Sequence, residues 1–179
     1  MLLRPAAQFE LARQAQIGDA ELGDVFTFCS GLYFRGKLTY ARRFASLPAD
    51  VQIITPSRGL MPPASRVGLA DLREFSTVPV DSEEPRFTAP LQAAVRGLLA
   101  RGATEVVLLG SIATGKYVET LLPILGSRLL FPSEFVGRGD MSRGGLLLRC
   151  AARGEELGYE PVAGAVRKGR RAVRVGEMK

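Results

Sequence analysis

The chain has 179 residues, 46% apolar and 23% charged, which suits one globular domain with its own core and is short for two. It has no histidine and only two cysteines, Cys29 and Cys150, so Ser-His-Asp and Cys-His catalysis, H-E-x-x-H zinc chemistry and cysteine-built zinc or iron–sulfur sites are excluded. The net charge of +6 is concentrated at one end: Arg167, Lys168, Arg170, Arg171, Arg174 and Lys179 stand against Glu177 alone, so a near-neutral body over 1–166 carries a basic tail over 167–179.

In chain order, "QFELARQA" and "DAELGDVFTFC" flank Gly18-Asp19 with mixed alternation and predict an N-terminal β-hairpin, "VFTFC" being its buried arm. "GKLTYARRFASL" places Leu38, Ala41, Phe44 and Ala45 on one helical face. "VQIIT" predicts a short buried strand, "PSRGLMPPASR" a loop, "LADLREF" a helix, and "STVPV" an extended segment because Pro79 opposes helix there. A helix is expected from Pro90 to Leu99, then "EVVLLG" as a strand buried on both faces of a parallel sheet. "YVETLLPIL" predicts a helix kinked or ended at Pro123, "RLLF" a strand, and "MSRGGLLLRCAARGEE" a helix with Asp140 as its N-cap. The alternation predicts a single α/β domain of three layers, with a mostly parallel sheet and helices on both faces.

No apolar run approaches the ~18–20 residues that span a bilayer, so no membrane partner is expected. "MLLRPAAQFELARQ" is interrupted by polar residues too early for a signal peptide, and two isolated thiols suit a reducing compartment, so the cytoplasm is the expected location.

In such a fold ligands bind beyond the carboxyl ends of the strands. Four segments there share glycine or proline, hydroxyls and cations: "CSGLYFRGK", "TPSRGLMPP", "GSIATGKY" and "PSEFVGRGDMSRGG". They supply Ser30, Tyr33, Arg35, Ser57, Arg58, Gly59, Gly110, Ser111, Thr114, Lys116, Arg138 and Arg143 as candidate ligand-binding residues, with Lys37 as one further loop cation, and their cations suit a phosphate or carboxylate. Cys29, Glu134 and Asp140 are the candidate catalytic groups, Cys29 as a nucleophile at a strand end and the carboxyls as acid or base. No metal site is expected. "DSEEP" at 81–85 reads as a solvated turn, and "RGD" at 138–140 as a helix start.

"GSIATGKY" resembles a nucleotide-binding P-loop, G-x-x-x-x-G-K-[ST], but Tyr117 stands where the magnesium-binding hydroxyl belongs, and the following strand, "RLLFPSE", does not end in aspartate. The chain is therefore not expected to be a P-loop NTPase. What remains is a glycine-rich turn before a helix N-terminus, a generic anion cradle that Ser111, Thr114 and Lys116 would complete.

"FCSGLYFRGKLTYARRFA", "VQIITPSRGLMPPASRVGLADLREFSTVPVDSEEPRF" and "EVVLLGSIATGKYVETL" together resemble an α/β domain that accompanies archaeal tRNA-guanine transglycosylases and archaeosine synthases, and small stand-alone bacterial proteins with a G-x-Y-F-R…Y-A-R segment. The likeness spreads over residues 9–150 as short matches, and Cys29, Ser30, Ser57 and Gly59 occupy matching positions. The K-P-Y and histidine of archaeosine synthase, and the catalytic barrel of the transglycosylases, are missing. The resemblance thus implies a fold and a setting, modified 7-deazaguanine bases in tRNA, without implying the activity.

Three readings stay open. In the first, the protein serves nucleoside or RNA modification: the loops hold a base, nucleotide or phosphate, Tyr33 or Tyr40 stacks a base, and the tail holds tRNA or another nucleic acid through its phosphates. In the second it is a hydrolase or transferase acting on a phosphorylated metabolite. In the third it is a non-catalytic interaction module. Composition names no cofactor and no oligomeric state.

Overall fold

The stretch from residue 22 to residue 44, expected to begin as a strand, is helical on both sides of one break and organises the rest. In the computed structural model, which describes residues 2–4 and 7–167, α1 (Glu10–Gln16) leads through a two-residue strand β1 (Ala20–Glu21) directly into α2 (Leu22–Phe44). The expected N-terminal hairpin does not form. "VFTFC" is a short continuous apolar run, a pattern shared by buried strands and buried helices, and its context decides. Leu22, Val25 and Phe26, spaced i, i+3, i+4, turn one face toward Ala12 and Ala15 of α1. Gly18 ends α1 with φ 78° rather than turning a hairpin.

Beyond α2 come β2 (Ile53–Thr55), β3 (Gly59–Met61) and β4 (Arg66–Val67), then α3 (Leu69–Ser76) and α4 (Pro85–Ala100). β5 (Val106–Val107), α5 (Gly115–Leu125), β6 (Leu129–Pro132), α6 (Asp140–Arg153) and β7 (Tyr159–Pro161) complete the order. Of the described residues 54% are helical, and the strands form three small sheets: β1 with β4, β2 with β3, and β5-β6-β7. The only parallel pairing among them is β5 with β6, Val106 opposite Leu129; β7 runs antiparallel to β6. The expected three-layer fold with a mostly parallel sheet is therefore incorrect. "PSRGLMPP", expected as loop, folds back as β3 against β2, and "EVVLLG" contributes only two strand residues, Val107 being 36% exposed.

Prolines expected to bound helices sit inside them. α4 begins at Pro85, five residues before the expected start, and carries Pro90 within it; α5 runs through Pro123 to Leu125. Gly139 is the cap of α6, so Asp140 is its first residue, not its N-cap.

Three cores result. Phe87, Leu91 and Val95 of α4 pack with Val118, Leu121 and Leu125 of α5 and with Leu129 and Phe131 of β6. α1, α3 and the first half of α2 share a second core. The second half of α2 packs with α6 in a third, around Tyr40, Phe135 and Leu147. The two halves of α2 are separated by a kink at Gly31, whose φ of 64° and ψ of −141° are open to glycine and costly for any other residue. In the third core Leu157 N–H donates to the Tyr40 hydroxyl, and the two hydroxyls of Tyr40 and Tyr159 lie 2.8 Å apart. Tyr159 donates to the Glu156 carboxylate, so Tyr40 is the donor to Tyr159, and β7 is tied to α2 by a directed chain.

The α2–α6 crossing is made by glycine. A Cβ on Gly36 would lie 2.7 Å from the Gly144 carbonyl oxygen, and one on Gly144 would lie 2.9 Å from Tyr33 Cα. Gly36→Ala is expected to lower stability by about 1–3 kcal/mol, because rigid backbone must move. Gly97→Ala in α4, where only the flexible end of Arg101 comes within 3.3 Å, is expected to be neutral or stabilising by about 0.5 kcal/mol. Urea denaturation of both variants beside the wild type separates the two outcomes.

Candidate functional site

Three segments meet where the α2–α6 crossing faces the carboxyl ends of β5 and β6. α2 resumes after Gly31 and sets Tyr33 and Lys37 one turn apart on one face. The Tyr33 hydroxyl donates to the Leu109 carbonyl at 3.2 Å, joining α2 to the loop that leaves β5. That loop is fixed by Ile112, buried in the first core, and by Gly110, where a side chain would press on Leu108 and the Tyr117 ring. α5 then starts at Gly115 and carries Lys116 in its first turn, Nζ 4.9 Å from the Tyr117 ring centroid. From the third side, α6 presents Asp140 and Arg143 in its first turn.

Arg143 is 6% exposed, unusual for an arginine and explained by its partners. Its Nε and Nη2 donate to the Phe135 carbonyl at 3.2 and 3.0 Å, its guanidinium lies over the Phe135 ring, and Nη1 reaches Asp140 at 3.4 Å. Tyr33 packs edge-on to the same Phe135 ring. Burial pushes the Tyr33 phenol up to about 12 against the opposing influence of Arg143, so the hydroxyl stays protonated and remains a donor.

Lys37 stands differently. Its Nζ lies 4.0 Å above the Tyr33 ring centroid, and no ion pair to it is present among the described residues. Burial brings its ammonium down to about 8; Asp140 opposes the shift, while Lys116 and Arg143 add to it as like charges. At the start of α5, Thr114 makes no side-chain cap and the first turn holds no acid. The carboxylate of exposed Glu119 folds back over Gly115, where a Cβ would meet it. Lys37, Lys116 and Arg143 against Asp140 and Glu119, beside a helix start without a side-chain cap, leave a small net positive charge suited to an anion.

Of the expected site residues, the structure gathers Tyr33, Gly110, Lys116, Asp140 and Arg143 with Lys37. Ser111 accepts from Ala113 N–H within the same loop. The β2–β3 residues do not join them. Arg58 is bound by Asp71 and Glu74, Ser57 donates to Glu74 at 2.6 Å, and Gly59 (φ 64°) is required because a Cβ would collide with the Pro90 carbonyl. Cys29 and Ser30 are exposed on α2, not at a strand end, and partial desolvation raises the Cys29 thiol, opposite to what a nucleophile needs. Arg35 is exposed on α2; Arg138 donates to the Glu134 carbonyl and to Ser142, closing its own loop. The Glu134 carboxylate is exposed and accepts from the neighbouring Ser133 hydroxyl. Tyr40 is buried and hydrogen-bonded, so it cannot stack a base, and Lys37 covers one face of Tyr33. The expected tail, from Lys168 onward, lies outside the described residues.

Sequence reading undervalues Lys37, which it treats as one loop cation among several. The signal is its i, i+4 spacing from Tyr33, visible only once the segment is read as a helix. No group of three or more metal-ligating side chains occurs among the described residues, and no described helix is long and apolar enough to cross a membrane. Comparison of the chain with family models, with curated proteins and with solved structures found no match.

Arg143→Met is expected to cost about 2 kcal/mol in urea denaturation, because it removes two charge-assisted hydrogen bonds from a buried carbonyl. Arg58→Met, whose ion pairs are a third or more exposed on most sides, is expected to cost no more than about 1 kcal/mol and to leave anion affinity unchanged.

Proposed function

We propose that the protein binds a phosphate-bearing ligand of the nucleotide class where α2, α5 and α6 meet, and that it serves nucleoside or tRNA-base modification. The carrying observation is the half-buried Lys37, held on the Tyr33 ring without an ion-pair partner among the described residues, with Lys116 and Arg143 acting on it as like charges. A cationic cluster of this kind is destabilising when empty and is relieved by an anion. Lys116 and the N–H groups of the first turn of α5 take the phosphate, and Asp140 is the carboxylate placed to exchange a proton. The setting rests on the resemblance to the domain of the archaeal transglycosylases, and the cytoplasm is the location that goes with it.

The competing reading, a hydrolase or transferase on a phosphorylated metabolite, draws on a specific observation. Neither tyrosine expected to stack a base is free to do so on both faces, which favours a ligand recognised mainly through its phosphate. Binding of nucleoside monophosphates against sugar phosphates, followed by calorimetry, separates the two.

Lys116→Ala is expected to weaken inorganic phosphate binding about tenfold while leaving the denaturation midpoint unchanged; equal affinity for every phosphate-bearing ligand tried would remove Lys116 from the site. Glu119→Gln, which clears a competing carboxylate from the α5 start, is expected to tighten the same binding severalfold. The Lys37 ammonium gives a pH signature. Phosphate favours its charged form, so affinity is expected to fall as pH rises through about 8, and Lys37→Met is expected to abolish that fall. Stability runs the other way: the unfolded chain holds the Lys37 proton up to its ordinary 10.5, so this residue's contribution rises with pH between about 8 and 10.5.

A further inference from the structure

The chain has 24 lysines and arginines, and only four are lysines: Lys37, Lys116, Lys168 and Lys179. Two of these four primary amines belong to one cluster, although arginine would supply charge, and better phosphate geometry, at both positions. Arginine cannot do what a neutral amine does, which is add to a carbonyl. Lys37 meets the structural conditions for that chemistry. Its amine is half-buried against the Tyr33 ring at 4.0 Å, it lacks a carboxylate partner within ion-pair distance among the described residues, and Lys116 and Arg143 oppose its protonation. Desolvation beside other cations is the established way to keep a lysine neutral and nucleophilic near neutral pH.

We propose that Lys37 forms an imine with a small aldehyde carrying a phosphate, the phosphate being held by Lys116 and the first turn of α5. The inference rests on the anion site described above and adds a covalent step to it. The neutral amine nitrogen adds to the carbonyl carbon, and its proton passes to the former carbonyl oxygen, giving a carbinolamine. The nitrogen lone pair then expels that oxygen, which leaves as water after taking a second proton, and loss of the remaining N–H proton or its retention gives the imine or iminium. Asp140, which acts electrostatically on both Lys37 and Tyr33, is the carboxyl placed to pass those protons. Tyr33 is not, because its hydroxyl is committed to the Leu109 carbonyl and burial holds it protonated. No oxidant or reductant is needed, and the step reverses by hydrolysis.

The test uses the full chain with glycolaldehyde phosphate and cyanoborohydride, which reduces an imine to a stable secondary amine, and reads the modified lysine by peptide mass mapping. Labelling of Lys37 is expected to exceed that of each other lysine by about tenfold or more near pH 8, reflecting its larger neutral fraction. It is expected to rise with pH through about 8, opposite to the affinity for inorganic phosphate, and to be suppressed by excess ethyl phosphate. Unphosphorylated glycolaldehyde should label Lys37 at least about tenfold less. Lys37→Arg keeps a cation at the site and removes the amine, so it should lose the label. Binding of ethyl phosphate without selective trapping at Lys37 would overturn the imine while leaving the anion site standing. Equal labelling of all four lysines, or selective labelling of Lys116, would overturn it too. Absence of any ethyl phosphate binding would overturn the anion site itself.

Discussion

The close crossing of α2 and α6 at Gly36 and Gly144 is the constraint from which the rest of this structure follows. With backbone atoms this near, neither position tolerates a Cβ, and the two helices are held at a separation that side chains alone would not allow. That separation brings the first turn of α6 against Tyr33, and so buries Arg143. The guanidinium accepts burial because the Phe135 carbonyl, the Phe135 ring and Asp140 surround it, and its donors are matched to acceptors on the spot. A wider crossing would leave these groups to solvent and would separate Lys37 from the charges that act on it.

The site is assembled by helices more than by a sheet. Only β5 and β6 reproduce the parallel arrangement that places loops and helix starts at one edge, and they are enough to orient α5 and α6. α2 substitutes for the strands that a doubly wound sheet would have supplied there. It meets the loop after β5 through Tyr33 and delivers Tyr33 and Lys37 from a helix face, where side-chain spacing is fixed to within a turn.

The parts of this arrangement that could be read from sequence are those governed by local rules. Helices with a clear apolar face, such as those containing Leu91 to Leu99 and Leu146 to Cys150, and the glycine-rich turn before Lys116 follow from periodicity and turn chemistry alone. What could not be read depended on partners. "VFTFC" became helix because α1 offered a surface of small residues, and Pro90 and Pro123 lie inside helices whose other residues pack into the first core. Arg58 and Arg143 look equivalent as loop cations, yet one is neutralised by Asp71 and Glu74 and the other is anchored in the third core. The distinction lies in carboxylates 13 and 16 residues away and in a helix packed from elsewhere, which no local window contains.

Gly31 touches nothing: a Cβ there would meet no atom within 4 Å. A side chain there would meet open space, and yet the residue's positive φ sets the direction in which the chain departs toward Tyr33 and Lys37. The aim of the reactive face is therefore written into a backbone torsion two residues upstream, in the way a rifle's sight is set by its mount and not by its lens. A side chain introduced at that position would encounter no steric neighbour and would still turn the amine away from the α5 start, leaving every core intact and the pocket misdirected.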